Sequence, residues 1–251
     1  MNASWKFAAV TVAGCLSVLV AAANAAEITV VASGGPLPDV MGTLVPMFES
    51  ATGNRVKISF KGEAAITADL KQGAADLVIT NTEVVDELAM MGDVAGNGKT
   101  LLMISKVGVA VKAGATKPDI STPDKFKAAL MAAKTVGYSQ GSSGRHVVTV
   151  IQKLGIADAV KAKAVITQGR PVGAAIASGE AEIGMQQVAE LRPVSGIDVI
   201  GELPADLQKQ IPYSAGIVAK AKDAATARAL VSFLRSEAAL DVLKRKGMDV
   251  P

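Results

Sequence analysis

The sequence predicts an α/β fold of two units, each a mixed, mostly parallel sheet flanked by helices, and three observations predict it. Short β-branched runs alternate with stretches of helical periodicity after residue 26. Loops of Ser, Gly, Thr and Asn separate strands from the helices that follow, at the edge where α/β sheets bind ligands. The composition is 50% hydrophobic and 20% charged with only 3% aromatic residues, so the core is built from small aliphatic side chains. Strands joined through helices lie largely parallel and are covered on both faces.

Residues 1–26 have the pattern of a secretory leader. Lys6 is the only charge before Glu27, Phe7 to Ala26 is small and apolar, and Ala23-Asn24-Ala25 is a small-x-small cleavage pattern. Cleavage near Ala25 or Ala26 and a periplasmic location are expected. Cys15, the single cysteine, ends Val12-Ala13-Gly14-Cys15, which resembles a lipoprotein box. The apolar run continues through Leu16-Ser17-Val18-Leu19-Val20, so Cys15 is expected to leave with the leader. The remaining chain of about 225 residues is long enough to be stabilised by its core without disulfides.

Ile28 to Ala32 predicts the first strand, ended by Ser33-Gly34-Gly35-Pro36. A helix from about Asp39 places Val40, Leu44, Val45 and Phe48 on one face and stops at Gly53. Val56 to Phe60 is a strand, Ala64 to Lys71 a helix, and Leu77 to Ile79 a strand that enters Thr80-Asn81-Thr82. The next helix carries Val84, Val85 and Leu88. A second unit begins near Gly108, with a strand over Lys106 to Lys112 and a helix from Thr122-Pro123-Asp124 that turns Phe126 and Leu130 inward. Thr135 to Tyr138 is a strand leading into Ser139-Gln140-Gly141-Ser142-Ser143-Gly144. The helix after it is expected to bury Val147, Val148, Ile151 and Leu154. Later strands are expected at Ala164 to Ile166, Ile183 to Met185, Val199 to Ile200 and Ser214 to Ala219, with closing helices through Phe233 and Leu243.

Several function classes are excluded. The net charge is +3, basic and acidic residues are interspersed, and aromatics are scarce, so no nucleic-acid footprint exists. One histidine and no second cysteine give no metal site, and no cofactor is implied. The segment Gly92 to Thr100 looks like a phosphate loop but has Asp93 where its first glycine belongs, so it is taken as an ordinary loop. Gly141-Ser142-Ser143-Gly144 is not a nucleophile elbow. An exported serine hydrolase using Ser142 or Ser143 with His146 stays as an alternative, as does a scaffold or sensor without transport.

What remains is a set of small polar loops at helix starts: Ser33-Gly34-Gly35, Thr80-Asn81-Thr82 and Ser139 to Gly144. Each offers backbone N–H groups and hydroxyls at a helix N-terminus, where the dipole favours an anion. Arg145 and His146 follow the third loop, and positive charge there implies either solvent exposure or a negative ligand. Arg170, in Gly169-Arg170-Pro171, is expected to begin a helix at the same edge.

These residues resemble the periplasmic substrate-binding proteins of ABC importers, specifically the molybdate-binding branch. The likeness rests on Glu27-Ile28-Thr29-Val30, Ala75-Asp76-Leu77-Val78-Ile79-Thr80, Gln152-Lys153-Leu154-Gly155, Gly179-Glu180-Ala181-Glu182-Ile183-Gly184 and Lys246-Gly247-Met248. It implies a two-lobed type II periplasmic binding protein fold, with lobe 1 over 27–107 and 214–251 and lobe 2 over 108–213. The expected crossovers are Val107 to Val111 and Ser214 to Val218. A small anion would be trapped between the lobes of a monomer and delivered to a membrane ABC permease, without catalysis. Carried over, the binding loops fall at Ser33-Gly34-Gly35-Pro36, at Lys61-Gly62-Glu63, at Thr80-Asn81, at Ser142-Ser143 and at Gly169-Arg170, and the family's tyrosine falls at Gln187. The family's second loop carries serines, where this chain has Lys61 and Glu63. A molybdate- or tungstate-type oxyanion suits neutral donors; a citrate- or aconitate-like di- or tricarboxylate suits Arg145, Arg170 and Lys61. Both ligands stay open.

Overall fold

Two five-stranded sheets repeat one topology. The computed structural model describes residues 25–251, so nearly all of the expected leader, including Cys15, lies outside the described residues. The first sheet contains β1 (Glu27–Ser33), β2 (Arg55–Lys61), β3 (Leu77–Asn81), β4 (Val94–Ser105) and β10 (Ile211–Val218), in the order β2-β1-β3-β10-β4. The second contains β5 (Val107–Lys112), β6 (Val136–Ser139), β7 (Ala164–Thr167), β8 (Ile183–Gln187) and β9 (Ile197–Glu202), in the order β7-β6-β8-β5-β9. In each, four strands run in one direction and the fourth in the order, β10 or β5, runs against them, so the sheets are mixed.

The chain passes between sheets twice. First, β4 runs into β5 with only Lys106 between them; second, Leu203–Gln210 connects β9 to β10. The segments expected to cross, Val107–Val111 and Ser214–Val218, are the strands entered after each crossing. Val107, expected with lobe 1, pairs with Gln187 in the second sheet. Ile211 to Tyr213, expected with lobe 2, pair with Ser105 to Met103 in the first.

Helices cover both sheets. Around the first are α1 (Leu37–Thr52), α2 (Glu63–Lys71), α3 (Thr82–Met90), α9 (Ala224–Leu234) and α10 (Glu237–Arg245); with the second are α4 (Pro123–Ala132), α5 (Ser142–Lys153), α6 (Ala157–Lys161), α7 (Val172–Ser178) and α8 (Val188–Leu191). The apolar stripe of α1 buries Val40, Leu44, Val45 and Phe48, and Gly53 at φ 74° ends it in the left-handed cap that glycine adopts freely. Phe48 meets Phe233 of α9 edge-on, with ring centroids 5.7 Å apart. Asp76 staples this lobe: its carboxylate accepts from the backbone N–H of Thr29 (2.8 Å), Lys222 (2.7 Å) and Asp223 (3.1 Å).

Three expectations need correction. The segment Gly92 to Thr100 is no loop: from Val94 it is strand, and Gly98 packs so closely on β10 that a Cβ there would lie 2.9 Å from Ile217 Cβ. On α5 the buried face is Val147, Val150 and Ile151, while Val148 is exposed, because the i, i+3, i+4 spacing selects 150 over 148. Arg170 begins no helix; α7 starts at Val172, after Pro171, which fixes the extended entry.

Candidate functional site

A cavity of about 700 Å³ lies where loops from both sheets meet. From the first sheet come Ser33, Gly34 and Gly35 after β1, Lys61 and Gly62 after β2, and Asn81 at the end of β3. From the second come Ser142, Ser143 and Arg145 in the first turns of α5, Gly169 and Arg170 after β7, and Gln187 at the end of β8. All lie just beyond the ends of parallel strands, as the order of elements requires.

The helices that begin here share one property. At α1, α2, α3, α5 and α7 the N-cap residue, respectively Pro36, Gly62, Asn81, Gly141 and Pro171, makes no side-chain capping bond. Away from the cavity, α4, α9 and α10 are capped by Thr122, Asp223 and Ser236, while the short α6 is not. The first N–H groups of a helix have no partner inside it, so the uncapped ends present donors and a positive dipole to the cavity. At α7 the start is partly answered, by Gln186 Oε1 accepting from Val172 N at 2.8 Å.

Two expected residues fall elsewhere. Thr80 is fully buried: β3 continues through Asn81, so Thr80 shares the face of Val78 and does not line the cavity. His146 lines a neighbouring cavity, and its Nε2 donates to the Leu207 carbonyl at 2.7 Å. No hydrogen bond joins it to Ser142 or Ser143 among the described residues, so the hydrolase pairing is not assembled.

The cations divide into committed and free. Arg170 forms a two-point ion pair with Glu180, whose carboxyl is held down at about 2 chiefly by that guanidinium. Lys61 Nζ bonds Asp69 at 2.6 Å. Arg145 is exposed to the cavity and has no carboxylate partner among the described residues.

Five lining residues escaped the sequence reading: Thr167, Gln168, Gln186, Glu190 and Tyr213. Thr167 is buried with its hydroxyl unpartnered. Tyr213 of the first sheet donates to Gln187 Oε1 of the second at 3.1 Å. Gly35, at φ 69°, closes this seam, because a Cβ there would sit 3.4 Å from both Gln187 Nε2 and Tyr213 Oη. Glu190, in α8, is mostly buried; Gln186 Nε2 donates to it at 2.7 Å, and burial pushes its carboxyl up to about 7. The spacing of Gln186 and Glu190 was the one available signal; nothing in the sequence marked Thr167 or Tyr213.

Two lobes carrying uncapped helix ends around one cleft define a protein that grips a small solute. Residues 28–249 match the model of the bacterial extracellular solute-binding proteins, and the chain belongs to that family. It is 35% identical to an aconitate isomerase of Pseudomonas sp. over 240 residues, covering 92% of this chain and 90% of that protein. It is 31% identical over 266 residues to the molybdate-binding protein ModA of Azotobacter vinelandii, covering 97% of this chain and 98% of the relative. The solved periplasmic molybdate-binding protein of Azotobacter vinelandii superposes with a TM-score of 0.72 at 21% identity, over 90% of this chain and all of the other.

Proposed function

We propose that the protein is a periplasmic receptor that closes on a small organic di- or tricarboxylate and delivers it, as a monomer, to a membrane ABC permease. The observation that carries this reading is the set of uncapped helix starts, contributed by both lobes, beside the unpaired guanidinium of Arg145. A planar guanidinium matches a carboxylate at two points, and the remaining carboxylates of the ligand meet N–H groups and the hydroxyls of Ser33, Ser142 and Ser143. The aconitate isomerase relative supports a carboxylate of this size. A tetrahedral oxyanion is the second reading, supported by the molybdate-binding relative and the same neutral donors.

A thermal-shift panel on the mature protein separates them, using citrate, cis-aconitate, succinate, molybdate, tungstate and sulfate. A ligand at 100 times its dissociation constant adds about 2.7 kcal/mol. The carboxylate reading expects citrate or cis-aconitate to raise the melting temperature and Arg145→Ala to abolish the rise. Stabilisation by molybdate alone, unchanged in Arg145→Ala, overturns it.

A further inference from the structure

We propose that the cleft also does chemistry: Glu190 transfers a proton within a bound unsaturated carboxylate, shifting its double bond by one position. This rests on the carboxylate reading above and goes beyond capture. Three features assemble the reaction at one place. Glu190 lines the cavity with no cationic partner among the described residues and is held by the amide of Gln186, whose Oε1 is in turn fixed on Val172 N. Gly35 brings the opposite lobe against it, since a Cβ there would be 4.0 Å from Glu190 Cδ. Arg145 and the first turn of α5 supply the donors for a carboxylate on which charge accumulates.

The step balances without a co-reactant. Glu190, ionised, takes a proton from an sp³ carbon that lies between a carboxylate and the double bond. The C–H electron pair becomes the new double bond, and the old π pair moves towards the far carbon. The same carboxyl, now protonated, returns its proton to that carbon. Nothing is oxidised or reduced. Negative charge in the intermediate spreads onto the substrate carboxylate, where Arg145 and backbone N–H groups stabilise it. A carboxyl that titrates near neutral pH suits both halves of the exchange, removing a proton and giving it back.

The test is proton NMR of cis-aconitate with the mature protein in D₂O, with a protein-free blank and a parallel thermal-shift titration with citrate. Deuterium entering the ligand and migration of its double bond are expected. Glu190→Gln should slow both at least about 100-fold while keeping the citrate shift, which shows that the variant folds and binds. Citrate and cis-aconitate binding without exchange or isomerisation overturns this proposal and leaves the receptor reading standing. Exchange that survives in Glu190→Gln removes Glu190 from the chemistry. No stabilisation by either carboxylate overturns the proposal together with the reading beneath it.

Discussion

Burial raises the Glu190 carboxyl from its ordinary value of 4.5 to about 7, against the pull of the Gln186 and Gln187 amides. The folded protein therefore holds a proton that the unfolded chain has released between those values. Its stabilising effect is complete below about pH 4.5 and is lost as pH rises through about 7. The groups facing Glu190 are those two amides and, from the first lobe, Gly35; the cations of the cleft are Lys61, Arg145 and Arg170. Glu190→Gln is expected to flatten the pH dependence of melting between pH 5 and 8 and to stabilise the unliganded protein at pH 8 by roughly 1–3 kcal/mol. An unchanged pH profile would show that the carboxyl is better solvated than its burial implies. Asp76 acts oppositely, since its carboxylate satisfies three backbone donors from distant segments. Asp76→Ala should cost about 2–3 kcal/mol in denaturant unfolding, because three partly buried backbone donors lose a charged acceptor at once.

Among the elements, α5 makes the tightest demand. A Cβ on Gly144 would lie 1.6 Å from the Ser139 carbonyl oxygen, so the turn from β6 into α5 closes only around a bare α-carbon. Gly144→Ala is expected to destabilise the fold by about 3 kcal/mol or more and to weaken ligand binding, measured by urea unfolding and calorimetry, since the start of α5 must move. Element order was legible in the sequence wherever periodicity was strong: the stripe of α1 and its stop at Gly53 stand where the pattern put them. The segment after Gly92 was not, because Gly96, Asn97, Gly98, Lys99 and Thr100 hide a strand whose stability comes from pairing with β10. The loops of the site were legible as small polar runs at helix starts. Their ion pairs were not, since nothing local to Arg170 or Lys61 reveals Glu180 or Asp69 as partners. Thr80 was misplaced for a related reason: one further residue of strand pairing turned its side chain from the cleft.

For the whole molecule, the two lobes meet through the Tyr213 to Gln187 hydrogen bond, the approach of Gly35, the Arg192 guanidinium donating to the Lys244 and Arg245 carbonyls beside Gly247, and the two connections between sheets. In the proposed receptor the lobes would close as bodies about the Lys106 and 203–210 connections. Tyr213→Phe removes a side-chain hydrogen bond between the lobes at the cleft and is expected to change ligand affinity several-fold while shifting unliganded stability by only about 1 kcal/mol, read by calorimetry beside thermal melts. The account as a whole is tested most directly by isothermal titration of citrate into residues 27–251 and into the same chain carrying Arg145→Ala. One ligand bound per chain, with binding lost in the variant at unchanged melting temperature, is the predicted result. Equal affinity in both proteins, or no heat with any carboxylate, would contradict it.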